Sequence, residues 1–312
     1  MDFTKLRTIF PTEFLESKLK EGKRNDDRKT EDFRKIVYVT GTITTSHGSS
    51  IVKLGKTSVI SALTAEAVAI NENAENQGIF QLSVNFLPIC SPEITHDSQP
   101  DEDKAIQQHI YRLIKNSNAI DFENPLFKID SHHVLCLNVD VYCLNHDGSI
   151  FDAALISVFM TLFHARIPEE IFRVSQEEKI DSLNGENLST VKNDSYEKPF
   201  EILIDDQKKK FFEIPIRNVL FPITFGFFRE YLLADPTSEE EKVLDSQFTI
   251  VFSSDGSICS VYKPGGKIII EKKIKKCFEL AKKRVEFLKQ NVFSSSFNSK
   301  EKNKINKKIK NY

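Results

Sequence analysis

The chain has 312 residues, 40% of them apolar and 28% charged, with 45 carboxylates against 43 lysines and arginines for a net charge of −2. That is enough apolar material for one large domain or two small ones, and so even a balance creates no global field that would draw in nucleic acid by itself. No run of roughly 18 uncharged apolar residues occurs, so no membrane span is expected, and the opening MDFTKLRTIF lacks the pattern of a signal peptide. Cys90, Cys136, Cys143, Cys259 and Cys277 show no CxxC spacing and sit in apolar runs, the usage of reduced core thiols in a cytosolic or nuclear protein.

In chain order, Phe3, Leu6, Phe10, Phe14 and Leu19 with charges between them predict an amphipathic helix over Phe3–Glu21, followed by a charged connector, Gly22–Arg34. Ile36–Thr45, Ser50–Leu54 and Ser58–Glu66 alternate and are separated by Ser46-His47-Gly48 and Gly55-Lys56-Thr57, the pattern of an antiparallel meander. Asn71–Asn85 reads as polar and Phe86–Cys90 as a short apolar run. Ile106, Ile110, Leu113 and Ile114 place a helical stripe on Ala105–Asn116. Val134–Pro168 is the centre of the chain. Leu135, Leu137, Val139, Val141 and Cys143 give a strand, His146-Asp147-Gly148 a turn, and Asp152–Arg166 a helix apolar on nearly every side, which belongs inside a domain.

Ser175–Lys210 is polar and reads as an insertion or connector, with Phe200–Ile204 able to pair as a strand. Strands are expected at Phe211–Ile216, Pro222–Phe228, Glu230–Ala234, Gln247–Phe252 and Ser257–Tyr262, and a long helix at Ile268–Gln290. Ser294–Tyr312 is lysine-rich, has no core pattern and is expected to be disordered. The organisation is an N-terminal half (1–178), a connector (179–210), a C-terminal half (211–292) and a tail (293–312), in an α+β body.

Few motifs carry chemistry. His132-His133 are strand neighbours that point to opposite faces and cannot chelate together. There is no GxSxG and no phosphate-binding glycine loop. Lys263-Pro264-Gly265-Gly266-Lys267 is basic and glycine-rich at a helix start, fit either for a hairpin closure or for an anion. Asp235, Glu239, Glu240, Glu241 and Asp245 fall within eleven residues, as a cation site for phosphoryl chemistry or a solvated acidic turn would. The start of the central helix would offer free N–H groups to an anion, but Asp152 stands there. It is expected to cap those groups and to repel phosphate.

Four blocks, Lys53–Glu66 (KLGKTSVISALTAE), Asp147–Ala154 (DGSIFDAA), Asp235–Ser246 (DPTSEEEKVLDS) and Asp255–Gly266 (DGSICSVYKPGG), come in an order and spacing that resembles the RNase PH-like subunits of the RNA exosome. The resemblance covers about residues 5–290, apart from 180–210. It implies an RNase PH-like fold of the ribosomal-protein-S5-domain-2 kind, with two βαβα-type halves, mixed sheets and buried helices. It also implies pairing with other RNase PH-like subunits in a six-membered ring around an RNA channel. Cap subunits with S1 and KH domains would sit on one face. The implied work is 3′ to 5′ RNA processing and degradation (rRNA maturation and mRNA decay), in nucleus, nucleolus and cytoplasm, with no cofactor or metal.

Active members bind phosphate through an Arg after the turn's Gly-Ser or Gly-Thr; Gly148-Ser149-Ile150-Phe151-Asp152 has none. Their RPDGR-like segment is matched by Arg24-Asn25-Asp26-Asp27-Arg28, which keeps both arginines, and Asp245 falls near a catalytic acidic position. The resemblance is therefore to a non-catalytic ring subunit, with Arg24, Arg28, Lys53 and Lys56 as its RNA-contacting residues because they flank the family's substrate-side segments. An active phosphate-dependent exoribonuclease is the alternative. It would need a cationic side chain near the Asp147-Gly148 turn, and the local sequence supplies none. RNA binding through Lys300–Lys310 of the tail is a third reading, against a plain solubility tail.

Overall fold

A computed structural model describes residues 9–70, 77–91, 102–130, 133–172 and 210–293. Helix α1 (Pro11–Lys20) starts with Pro in its first turn, where no N–H is missed, and buries Leu15 and Leu19, one turn apart. The next strands are β1 (Ile36–Thr40), β2 (Gly48–Leu54), β3 (Thr57–Ala69), β4 (Ile79–Phe86) and, after helix α2 (Glu102–Asn116), β5 (His133–Asn145). They form one sheet in the order β1-β2-β3-β5-β4. The meander expected from the alternation is there, antiparallel throughout, and β5 continues it against β3. β4 joins β5 in parallel, with Phe86 beside Cys143. A parallel neighbour requires a crossover, and α2, packed on β4, supplies it. β4 lies largely inside the stretch that reads as polar. Its period is nevertheless two: Phe80, Leu82, Val84 and Phe86 are buried, and Gln81, Ser83 and Asn85 separate them.

Helix α3 (Ile150–His164) is buried from Ile150 to Leu162 except for a partly covered Phe151. It lies between the first sheet and a second one, touching β2 and β3 on one side. Its polar residues are satisfied internally. The Ser61 and Ser157 hydroxyls are 2.7 Å apart, and the Ser50 hydroxyl donates to the Ser157 carbonyl at 3.0 Å, as buried polar groups require. The short strand β6 (Ile167–Pro168) pairs with β7 (Phe211–Phe212), and of the longer strand expected at 211–216 only these two residues and an isolated bridge from Ile216 to Ile120 form.

The second sheet contains β8 (Leu220–Phe228), β9 (Tyr231–Ala234) and, beyond the one-turn helix α4 (Ser238–Glu241), β10 (Ser246–Ser253) and β11 (Ile258–Tyr262). Its order is β11-β10-β8-β9, antiparallel at every pairing. Every residue of β8 is buried, because α3 covers one side and helix α5 (Glu271–Asn291) the other. α5 buries Cys277, Ala281, Val285 and Leu288 at spacings of four, four and three, and its lysine-rich face is left outside. Phe293, placed at the head of the tail by sequence, is fully buried against Phe221 and Phe163. Leu15 and Leu19 of α1 pack on Phe228 and Leu233, so the first helix among the described residues belongs to the second sheet. The connector up to residue 209, its candidate strand at Phe200–Ile204, and the tail from residue 294 lie outside the described residues.

Candidate functional site

The turn after β5 sets the geometry. Gly148 (φ +77°) and Ser149 (φ +48°) are consecutive left-handed residues leading into α3. Glycine is required at 148: a Cβ there would lie 2.5 Å from the Pro236 carbonyl oxygen and 2.6 Å from the Ser238 nitrogen. The turn is thus pressed against Asp235–Ser238 of the second half.

The N-cap position is Ser149, one turn earlier than the sequence suggests. Asp152 does not cap the helix. Its carboxylate reaches across to the second sheet and accepts from the Thr224 N–H at 2.9 Å and the Thr224 hydroxyl at 2.8 Å. The start of α3 is closed instead by Glu241, whose Oε1 accepts from the Ser149 N–H at 2.9 Å. A carboxylate does stand at this helix start, but it is Glu241 rather than Asp152.

The acidic segment is not a solvated turn. Asp235 and Glu240 are buried and paired, while Glu239 is exposed. Arg34 grips Asp235 in two-pronged fashion, Nη2 to Oδ1 at 2.6 Å and Nε to Oδ2 at 2.9 Å, and its own backbone N–H adds a third bond at 3.0 Å. The same guanidinium donates to the Gly148 carbonyl at 3.1 Å. Arg24 pairs with Glu240 and donates to the carbonyls of Ala234 (2.6 Å) and Asp235 (3.0 Å). Among the described residues no group of three or more His, Cys, Asp and Glu is arranged to hold a metal ion.

The expected RNA contacts separate into two pairs. Arg24 is completely buried and cannot reach an RNA, which corrects the sequence reading: its charge neutralises Glu240. Arg28 is only 14% exposed, bonded to Asp26 and to the carbonyls of Asp32 (3.0 Å) and Asp235 (3.1 Å). Lys53 on β2 and Lys56 in the following turn are exposed. Asp245 accepts from the Arg229 N–H at 2.6 Å and pairs with Lys267 at 2.7 Å, a latch for the neighbouring turns. Lys263–Lys267 closes a hairpin, with Gly266 so close to Asp245 that a Cβ would sit 2.3 Å from its carbonyl oxygen.

Arg34 is the residue that sequence reasoning missed. It brings a cation to the Asp147-Gly148 turn from the end of the charged connector. Burial opposes the charge on Asp235, but the Arg34 guanidinium outweighs it and holds that carboxyl below its ordinary value. Burial, with Asp235 nearby, pushes Asp152 up to about 7 against the pull of Thr224. Burial likewise pushes Glu241 up to about 7 against the Ser149 N–H and Arg34.

Beside these carboxylates a cleft of about 640 Å³ opens between the halves. Ser149, Glu241 and Thr249 are among its lining residues, together with Phe151, His109 and Tyr262. The His109 ring lies 5.0 Å from that of Phe151 and 4.6 Å from that of Tyr262.

Residues 32–168 match domain 1, and residues 218–284 domain 2, of the 3′ exoribonuclease family described as RNase PH. The chain is 29% identical to exosome complex component RRP45 of Danio rerio over 92% of its own length and 66% of that protein's, so it spans just under two thirds of this relative. It is 30% identical to exosome complex component Rrp42 of Thermococcus gammatolerans, over 81% of this chain and 83% of that one. In structure it resembles a chain of the Archaeoglobus fulgidus exosome with RNA bound to the active site. The TM-score is 0.71 at 21% identity, over 89% of this chain and 96% of that one. Two matched domains meeting at the Gly148 turn, and relatives that cover nearly all of the described residues, place the chain in the RNase PH-type 3′ exoribonuclease family together with these exosome components.

Proposed function

We propose that this chain is a ring subunit of an RNA exosome that has lost its phosphorolytic site and acts as scaffold and channel wall. Within the family we assign it to the exosome component 8 (rRNA-processing protein 43) type, on the Pro88–Ser91 run and the Cys143–Ala153 segment. The observation that carries the reading is the start of α3. A phosphate there would meet the Glu241 carboxylate on the Ser149 N–H, and the guanidiniums of Arg24, Arg28 and Arg34 are all bonded to internal carboxylates and carbonyls. Transferring RNA to phosphate needs cations aimed at the developing charge, and these are aimed away from the cleft.

What remains for RNA is sequence-independent backbone contact from exposed lysines such as Lys53 and Lys56. The partners in this reading are other RNase PH-like ring subunits and cap subunits with S1 and KH domains, in nucleus, nucleolus and cytoplasm. The test is direct. The purified full chain, incubated with RNA, inorganic phosphate and Mg²⁺, is expected to release no nucleoside diphosphates; their release would overturn the reading in favour of an active phosphate-dependent exoribonuclease. Copurification should recover the ring and cap partners.

A further inference from the structure

The arginines near the Gly148 turn are committed to partners inside the protein, and the polar side chains left on the cleft beside α3 have a chemistry of their own. The Ser149 N–H goes to Glu241 and the Ser149 hydroxyl to the Pro236 carbonyl at 3.2 Å. Both Thr224 hydrogens go to Asp152. The Thr224 and Thr249 hydroxyls are 2.9 Å apart; when Asp152 is ionised it takes the Thr224 proton, and Thr249 is then the donor of that pair.

With Asp152 ionised, the hydrogen-bonding hydrogens described for Ser149, Thr224 and Thr249 therefore point into the protein. The lone pairs of Ser149 Oγ and Thr249 Oγ1 remain for an occupant, together with the second carboxylate oxygen of Glu241, because Oε1 alone is engaged by Ser149. Gln247 and Tyr262, also on the lining, can serve either way. The cation that Glu241 feels is Arg34, behind the turn, and Lys242, which also lines the cleft, already has a partner. Ile106, Phe151 and Tyr262 add apolar and aromatic lining, whose ring faces favour a cation over an anion; His109 packs against both rings, and burial holds its pKa below the ordinary value.

We infer that this cleft binds an organic cation, a guanidinium or primary ammonium on an apolar stem, with the head on Glu241, Ser149 and Thr249 and the stem against Phe151 and Tyr262. The cleft volume suits a small molecule or one long side chain. The inference rests on the reading that phosphate has been displaced from this site, and it reverses the charge of the ligand rather than merely deleting it.

The probe is agmatine, which carries both heads on a four-carbon stem, titrated calorimetrically into the full chain at physiological salt. A parallel titration uses a short arginine-containing peptide. Binding of agmatine identifies a free organic cation as sufficient; saturation by the peptide alone identifies a protein side chain as the source. In either case Glu241→Gln should weaken binding about tenfold or more, since it removes one charge-assisted contact. The amide oxygen can still accept from Ser149, so the fold is kept, which circular dichroism checks. Glu286→Gln, on the exposed face of α5, should change nothing. If neither probe binds, or if Glu241→Gln binds as well as the parent, the inference is overturned while the absence of phosphorolysis stands. If inorganic phosphate binds in the cleft and nucleoside diphosphates appear, both readings fall together.

Discussion

Two groups of carboxylates, Asp235 with Glu240 and Glu241 with Asp152, meet the same helix start and behave in opposite ways. Behind the turn, Asp235 and Glu240 each face an arginine in hydrogen-bonding geometry, and nothing opens to solvent. In front of it, Glu241 and Asp152 contact N–H and hydroxyl groups but no cation, and one of the two borders a cleft. Both regions are desolvated, which disfavours charge; the bidentate arginine reverses that cost for Asp235, and neutral donors reverse it only in part for the other two. Chain positions six residues apart are thus divided between holding the two halves together and shaping a site. The arginines belong wholly to the first task.

The largest effect is expected where that pairing is broken. Arg34→Ala would leave Asp235 buried without its partner, with a loss of about 3–5 kcal/mol in chemical denaturation. The double variant Arg34→Met, Asp235→Asn should recover a good part of it, because asparagine tolerates the left-handed conformation at 235 (φ +50°) and needs no counter-charge. If the double variant is as unstable as the single one, the two regions do not differ in the way described.

The front region should show itself through pH. A carboxyl raised on folding keeps its proton in the folded state after the unfolded chain has released it. Its contribution therefore turns against folding as pH rises from the ordinary values of 3.8 for Asp152 and 4.5 for Glu241 to about 7, and is constant above that. Asp235 has the opposite sign: its stabilisation is present above 3.8 and is lost as pH falls below it. Asp152→Asn deletes one raised carboxyl, so the stability of the variant relative to the parent should climb by about 1.4 kcal/mol per pH unit between pH 4 and 7 and then level off. A difference that is flat with pH would show that Asp152 titrates normally.

Much of this arrangement was legible in advance, and the misses have identifiable causes. The strand, turn and helix of Val134–Pro168 were readable because a two-residue period gives way to an all-apolar run across Gly148. β4 was hidden because Gln81, Ser83 and Asn85 make the stretch polar by count while Phe80, Leu82, Val84 and Phe86 keep its period. Asp152 was misread because the helix begins at a left-handed Ser149, a conformation that serine rarely signals. Arg24 and Arg34 were misjudged for a different reason. Their partners lie more than 200 residues downstream, and no local pattern distinguishes an arginine bound for a buried carboxylate from one bound for RNA.

That last distinction gives the smallest and most specific prediction. Lys53 and Lys56 are exposed on the first sheet, whereas Arg24 has no exposure at all. Lys53→Ala with Lys56→Ala should leave stability within about 0.5 kcal/mol. If the proposed function holds, it should weaken RNA binding by the full chain with its proposed ring partners severalfold, equally for every RNA sequence. Each lysine that meets a phosphate releases a counterion, so the dependence of log affinity on log salt should flatten by roughly one per lysine lost. Arg24→Ala should do the reverse, lowering stability and leaving the salt slope of the folded fraction where it was. A salt slope unmoved by the lysine pair would take Lys53 and Lys56 off the RNA path and leave the channel wall to other residues.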